Sequence, residues 1–438
     1  MEETKETKET KETKESPAWM VGNKINEVAF AEEFLKKHQM VCCEGAFFSR
    51  EGRVTDERLL KRAIFLMLKE HVHTGISRKV DTLLATMRLA AGQKKLELDP
   101  KVIHVANGTY HFDNGFSPEK QFCRHRLPVE FNWHAPKPLT WLRFLDELLS
   151  PMDIETLQEY MGYCLIPTTK AQKMLLITGN GGEGKSRIGV VMKAILGSNL
   201  SLGSIAKIEV SPFARADLEH LLVMVDDDMQ MEALSSTNYL KSIITAELPM
   251  DLEKKGEQSY QGRLCVRFMA FGNGMLRALH DRSHGFFRRQ IILSTLPKDP
   301  RREDDPELGD KLIAEKDAIF MWCYYGLCRL MENNFRFTIS PQAEANLLKA
   351  ESEGNNILDF LGSTGYITFD YNAKTTSRRL YEVYRDWCAD NALRPLSDRS
   401  FWSYIREHAL ELDLDYVYHI PIGNGKTARG FRGIRVVE

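Results

Sequence analysis

No stretch of this sequence is apolar enough to span a bilayer, and its N-terminus carries no apolar signal-peptide core, so a membrane role is not expected. Charge of one sign is also missing: 59 Lys and Arg against 61 Asp and Glu leave a net charge of -2. That excludes a globally basic coat for nucleic acid, and any basic surface must be local. The eight cysteines, Cys42, Cys43, Cys123, Cys164, Cys265, Cys323, Cys328 and Cys388, form no C-x-x-C pair, which argues against a zinc knuckle. Cys123 near His125 has no second pair to complete a metal site. Scattered thiols in apolar runs read as reduced cysteines of a cytoplasmic protein. What is present is ordinary globular composition: 43% apolar residues in a chain of 438, enough for two or three domains with a large core.

Residues 2–15 repeat Glu, Thr and Lys without apolar side chains, so residues 1–20 are expected as a solvated charged tail. Residues 21–135 read as a mixed α/β region, helical at 28–38 and 59–68, with turns at Asn107-Gly108 and Asn114-Gly115. The basic run Arg124, His125, Arg126 reads as a solvated face. Residues 136–170 read as a helical collar: Leu142, Leu145 and Leu149 keep one face apolar, Leu157, Tyr160, Met161, Cys164 and Leu165 another, and Pro167 ends it.

Chemistry begins after Lys173. The apolar run 174–178 leads into Gly179, Asn180, Gly181, Gly182, Glu183, Gly184, Lys185 and Ser186, and a helical pattern follows to Leu196. This is G-x-x-x-x-G-K-S between a strand and a helix, the context that a phosphate-binding loop requires. Glycines let backbone N–H groups converge on phosphates, Lys185 would neutralise β- and γ-phosphate oxygens, and the Ser186 hydroxyl would hold Mg²⁺. The expected ligands are therefore ATP and Mg²⁺.

Three further elements follow. Leu221–Val225 reads as a buried parallel strand ending in Asp226, Asp227 and Asp228. We assign Asp226 to the metal and Asp227 to activating water, with a register that could shift by one. Cys265–Phe271 reads as a strand ending at Asn273, whose amide could hold the attacking water; a plain Asn-Gly turn is the alternative. Residues 281–293 place Arg288 and Arg289 before another strand. An arginine reaching a neighbour's γ-phosphate is worth about 10³–10⁵ in rate, and in trans it needs a ring or similar assembly; surface arginines are the alternative.

GNGGEGKS, LLVMVDDD, FMAFGNG and DRSHGFFRRQIIL, in this order and spacing, resemble superfamily 3 helicases of the phage and plasmid primase–helicase group, relatives of the poxvirus-type nucleoside triphosphatase. The segment EYMGYCLIPTTKAQKMLLITG is similar to the one preceding the loop in that group. The resemblance covers residues 100–300 well. It implies an α/β fold with a P-loop AAA+-like ATPase core and a parallel sheet over residues 171–335. It also implies a ring, usually hexameric, that translocates on single-stranded or forked DNA, with a primase, polymerase or other replication protein as a possible partner, in a bacterial cytoplasm if phage or mobile-element encoded.

By motif match Lys185 and Ser186 carry over as Walker A, Asp226 and Asp227 as Walker B and Asn273 as sensor 1. The finger carries over to Arg288 or Arg289, with Arg289 preferred. Lys254 and Lys255 beside Gly256 look like the family's pore hairpin, which contacts DNA; a solvated charged turn fits equally. Two departures stand out: no glycine follows the Lys241 helix, and residues 21–135 show no paired-carboxylate primase site, so primer synthesis is not expected.

Residues 336–438 carry two amphipathic helical faces and a hairpin around Gly423-Asn424-Gly425, which resembles a winged helix. Lys426, Arg429, Arg432 and Arg435 cluster on that hairpin and read as DNA phosphate contacts, or as a packing domain's solvated face. A ring-forming ATP-dependent DNA helicase is the leading expectation. An ATP-switched replication initiator or loader, and an RNA-directed ATPase, are the alternatives.

Overall fold

The computed structural model describes residues 17–91, 96–229, 234, 236–273, 284–354, 356–391, 393 and 395–437. The Glu-Thr-Lys repeat, Gly274, Asp281, Arg282 and Ser283 lie outside the described residues.

Five strands form a parallel sheet. In spatial order they are Leu200–Leu202, Val223–Asp226, Arg267–Gly272, Met174–Thr178 and Gln290–Ser294. The strand that feeds the glycine loop thus lies between the two that follow it latest in sequence. It pairs Leu176 with Ala270 on one side and with Ile292 on the other. Side chains alternate between faces with a period of two. Leu175, Ile177, Val223, Val225, Met269, Phe271, Ile291 and Leu293 join one core, and Met174, Leu176, Met224, Phe268, Ala270 and Ile292 the other. Both faces are covered, which is why these strands read as unbroken apolar runs.

Helices Leu139–Leu148, Pro151–Tyr163, Ser186–Leu196 and Lys316–Glu332 cover the first face. The expected collar is therefore two helices that share the sheet's own core. They separate at Ser150-Pro151, where Ser150 Oγ accepts from the Asp153 N–H and Pro151 takes the first helical turn, a position that has no use for an N–H. The Pro151–Tyr163 and Lys316–Glu332 helices cross through two glycines. A Cβ on Gly162 would lie 2.4 Å from the Cys323 carbonyl oxygen, and one on Gly326 2.4 Å from that of Gln158.

Domain limits differ from those expected, because packing follows the cores. Residues 17–91 build their own, around Trp19, Phe30, Phe34, Ile64 and Leu83. Trp19 is buried against Phe30, so the tail ends before it and not at residue 20. From Ile103 to Phe131 the chain instead packs into the sheet's core. The Pro341–Gly354 helix also belongs to the central body: Asn346 Nδ2 donates to the Ile292 carbonyl at 3.0 Å.

Residues 356–437 form a third unit. A short helix Asn356–Leu361 precedes the strand Ile367–Thr376, helices Ser377–Asp390 and Asp398–Glu407, and the hairpin Asp415–Pro421 and Thr427–Val436. The three strands pair antiparallel with the last one central. Leu380, Val383, Tyr384, Trp387 and Cys388 are the buried face of the first long helix, as their spacing predicts.

The run Arg124-His125-Arg126 corrects its reading as a solvated face, since all three are buried. Each has found acceptors distant in sequence. Arg124 holds Glu44 and the Leu96 carbonyl, His125 Nδ1 lies 3.1 Å from Asn199 Oδ1, and Arg126 holds the Val105, Gly108 and Gln121 carbonyls.

These buried imidazoles make acid stability predictable. Burial pushes His125 down to about 3, and His104 and His220 each to about 4. Below about pH 6.5 the unfolded chain takes up protons that the folded chain refuses, so stability falls as pH drops toward 4. Each histidine costs up to about 2 kcal/mol at pH 5. Thermal melts should show the transition falling steeply from pH 7 to pH 4.5; an unchanged transition would contradict the burial of these rings.

Candidate functional site

The glycine loop leaves the carboxyl end of its strand and turns with positive φ at Gly181 (102°), Gly182 (80°) and Gly184 (98°), a region open to glycine and costly for most other residues. The Ser186–Leu196 helix starts directly after Lys185, so its positive N-terminal end faces the loop. Lys185 is 8% exposed. Its Nζ donates to Asn273 Oδ1 at 3.0 Å and to Glu183 Oε2 at 3.2 Å. Two of the expected residues, 88 positions apart, therefore meet beyond the carboxyl ends of neighbouring strands.

Asp226 ends its strand at that end of the sheet, paired with Ala270, and is 6% exposed. Its Oδ2 accepts from the Ile205 N–H at 2.8 Å. Burial pushes its carboxyl up; the Ile205 N–H opposes this, while Asp228 and Asp227 add to the rise. A carboxylate whose charge is disfavoured by its surroundings gains from a nearby cation, and a carboxylate and a hydroxyl such as those of Asp226 and Ser186 are oxygen donors of the kind Mg²⁺ takes. Asp227 and Asp228 are exposed.

The two candidate finger residues part company. Arg288 is exposed, and its carbonyl accepts from Lys173 Nζ. Arg289 is half-buried and its guanidinium turns back onto the Gly285 carbonyl. The preference for Arg289 thus falls on the side chain already engaged within its own subunit, while Arg288 is presented outward.

A hairpin forms at the expected place. Met250–Leu252 pairs antiparallel with Tyr260–Gly262, and Gly256 turns with φ 82°. Lys255 is exposed near the tip. Lys254 is not bare: its Nζ lies 3.0 Å from the buried Glu219 carboxylate and 4.7 Å over the Tyr260 ring. Together with Arg124 and Glu44 it lines a cavity of about 760 Å³ beside the N-terminal unit. On the C-terminal hairpin Lys426 and Arg429 are exposed, Arg432 is 3.8 Å from Asp415, and Arg435 pairs with Asp370.

Arg302 was missed from sequence. It follows the last sheet strand, and its Nη2 donates to the Glu183 carbonyl at 3.0 Å. With Arg187, Asp305 and Leu308 it walls a cavity of about 290 Å³ against Gly184 and Ser186. No motif or periodicity marks it.

Comparison with known proteins adds two segments. Residues 9–150 match the family described as D5 N terminal like. Residues 177–289, from the glycine loop to Arg289, match a family of unknown function, DUF5906. Among solved structures, the A form apo structure of the NrS-1 C terminal region, residues 305–718, shares the fold: TM-score 0.51 at 10% identity, over 93% of this chain and 100% of that one. A second apo structure of that region aligns at TM-score 0.49 and 12% identity, over 93% and 99%. Among the described residues, no helix is long and apolar enough to cross a membrane and no His/Cys/Asp/Glu cluster suits a metal ion.

Proposed function

We propose that the chain is an ATP-driven ring motor that unwinds DNA in phage, plasmid or mobile-element replication, a superfamily 3 helicase with an AAA+-type core and a winged-helix C-terminal domain. The observation that carries the reading is the Lys185–Asn273 contact at the mouth of the glycine loop, 3.0 Å. It joins the phosphate-neutralising cation to the amide that would watch the γ-phosphate. The D5 N terminal like segment supports a replication role.

In this reading the loop N–H groups and Lys185 bind the β- and γ-phosphates. Ser186 and Asp226 hold Mg²⁺, which supplies charge neutralisation on the phosphates when bound. Asn273 orients the attacking water, and Asp227 takes its proton. Arg288 of one subunit reaches the site of the next, at a seam that a ring supplies. Lys255 meets DNA phosphates in the pore, and Lys426 and Arg429 do so from the C-terminal hairpin.

A second reading, an ATP-switched initiator or loader, is favoured by Lys254, whose pairing with Glu219 leaves the hairpin tip with less free charge than a translocating grip would use. Strand displacement on forked DNA and on RNA duplexes separates the two. The helicase reading expects ATP-dependent displacement of DNA. ATP turnover stimulated by DNA without displacement would favour the switch, and displacement of RNA alone would move the substrate to RNA.

A further inference from the structure

The fifth residue of the glycine loop is an acid in the middle of a site shaped for anions. Glu183 is 3% exposed. Its Oε1 accepts from the Asn180 N–H at 2.5 Å, and its Oε2 accepts from the Gly181 N–H at 3.0 Å and from Lys185 Nζ at 3.2 Å. The carboxyl is seated tightly: a Cβ on Gly179 would lie 3.0 Å from its carbon and 2.4 Å from Thr295 Oγ1. Behind it, Arg302 holds the Glu183 carbonyl at 3.0 Å. The loop's two early N–H groups and its lysine thus spend their hydrogen bonds on the chain's own anion.

A buried carboxylate needs such donors to stay charged. Burial raises the Glu183 carboxyl, and the N–H groups of Glu183 and Asn180 with the Lys185 ammonium more than offset this, holding it below the usual carboxylate range. The carboxylate is therefore an anion bound by the same kinds of donor that a phosphate would recruit.

We propose that Glu183 is a built-in competitor for phosphate: the loop closes on its own carboxylate, and a nucleotide binds by displacing that carboxylate from Asn180, Gly181 and Lys185. The inference rests on the reading of residues 179–186 as a phosphate-binding loop. It sets the affinity of the site through a side chain that contributes nothing to holding the ligand. Once displaced, the carboxylate is an extra negative charge beside the phosphates, so it opposes the bound state as well as stabilising the empty one.

The test is equilibrium binding of ATP and of inorganic pyrophosphate to the full chain, with wild type, Glu183→Gln, Glu183→Ala and Lys185→Ala. Charge-assisted hydrogen bonds lost from the empty loop should appear as tighter binding of both probes to the two Glu183 variants, by about tenfold. Binding at or below wild-type affinity would overturn the competitor and make Glu183 a strut of the loop, provided that wild type binds ATP and Lys185→Ala does not. If no form, wild type included, binds either probe, the loop reading itself fails and the inference falls with it. Should Glu183→Ala lose its melting transition, the nearly isosteric Gln variant carries the comparison.

Discussion

Lys185→Ala lowers ATP hydrolysis by about 10³-fold or more, within the range that positioned cations contribute to phosphoryl transfer. Lys185 is buried at the loop, and its ammonium touches Glu183 and Asn273. Removing it also leaves the Glu183 carboxylate in the loop without its counter-ion, which further disfavours phosphate there. Wild-type and variant rates at equal protein and ATP concentrations, with melting curves alongside, check the prediction. A variant that melts like wild type and still hydrolyses ATP at wild-type rate would remove Lys185 from the mechanism.

Arg288→Ala lowers the maximal hydrolysis rate by about 10³-fold while ATP affinity stays near that of wild type, because a finger acts on the charge of the transition state. Arg289→Ala has a different signature. Its guanidinium bonds the Gly285 carbonyl just ahead of the Gln290–Ser294 strand, so its loss lowers the melting temperature more than the rate. Rate and melting measurements on both variants distinguish them. The opposite pattern, with Arg289→Ala catalytically dead and Arg288→Ala active, would return the finger to Arg289.

The parts legible in the sequence were those whose signal is local. The strand, glycine loop and helix at 174–196 could be read because an apolar run, a spacing motif and a 3.6-residue period lie end to end. The hairpin at Gly256 was expected only from the family resemblance, whereas the buried stripe from Leu380 to Cys388 could be read from its helical spacing. The sheet order could not, because it depends on which strands cross over and not on any one strand's residues. Arg124, His125 and Arg126 looked solvated because their acceptors, Glu44, Asn199 and Val105 among them, lie up to 80 positions away. The strand Ile367–Thr376 was missed because its polar residues and its register shift between Asp370 and Lys374 blur the alternation. Arg302 was missed because its role comes from a carbonyl 119 positions distant. Motif order assigned Lys185 to the phosphates and Asn273 to the attacking water, but neither their direct contact nor the Glu183 carboxylate inside the loop was expected, since the motif allows any residue at position 183.

The central claim is that each active site is shared, with Lys185 from one copy and an arginine from the next. Mixing the two inactive variants tests it directly. Lys185→Ala subunits keep Arg288, and Arg288→Ala subunits keep Lys185. After co-assembly of equal amounts, about a quarter of the seams combine an intact lysine side with an intact arginine side. The account predicts that hydrolysis recovers to about that fraction of wild type. A mixture that remains as inactive as its two components, although the subunits are shown to have exchanged, would contradict it.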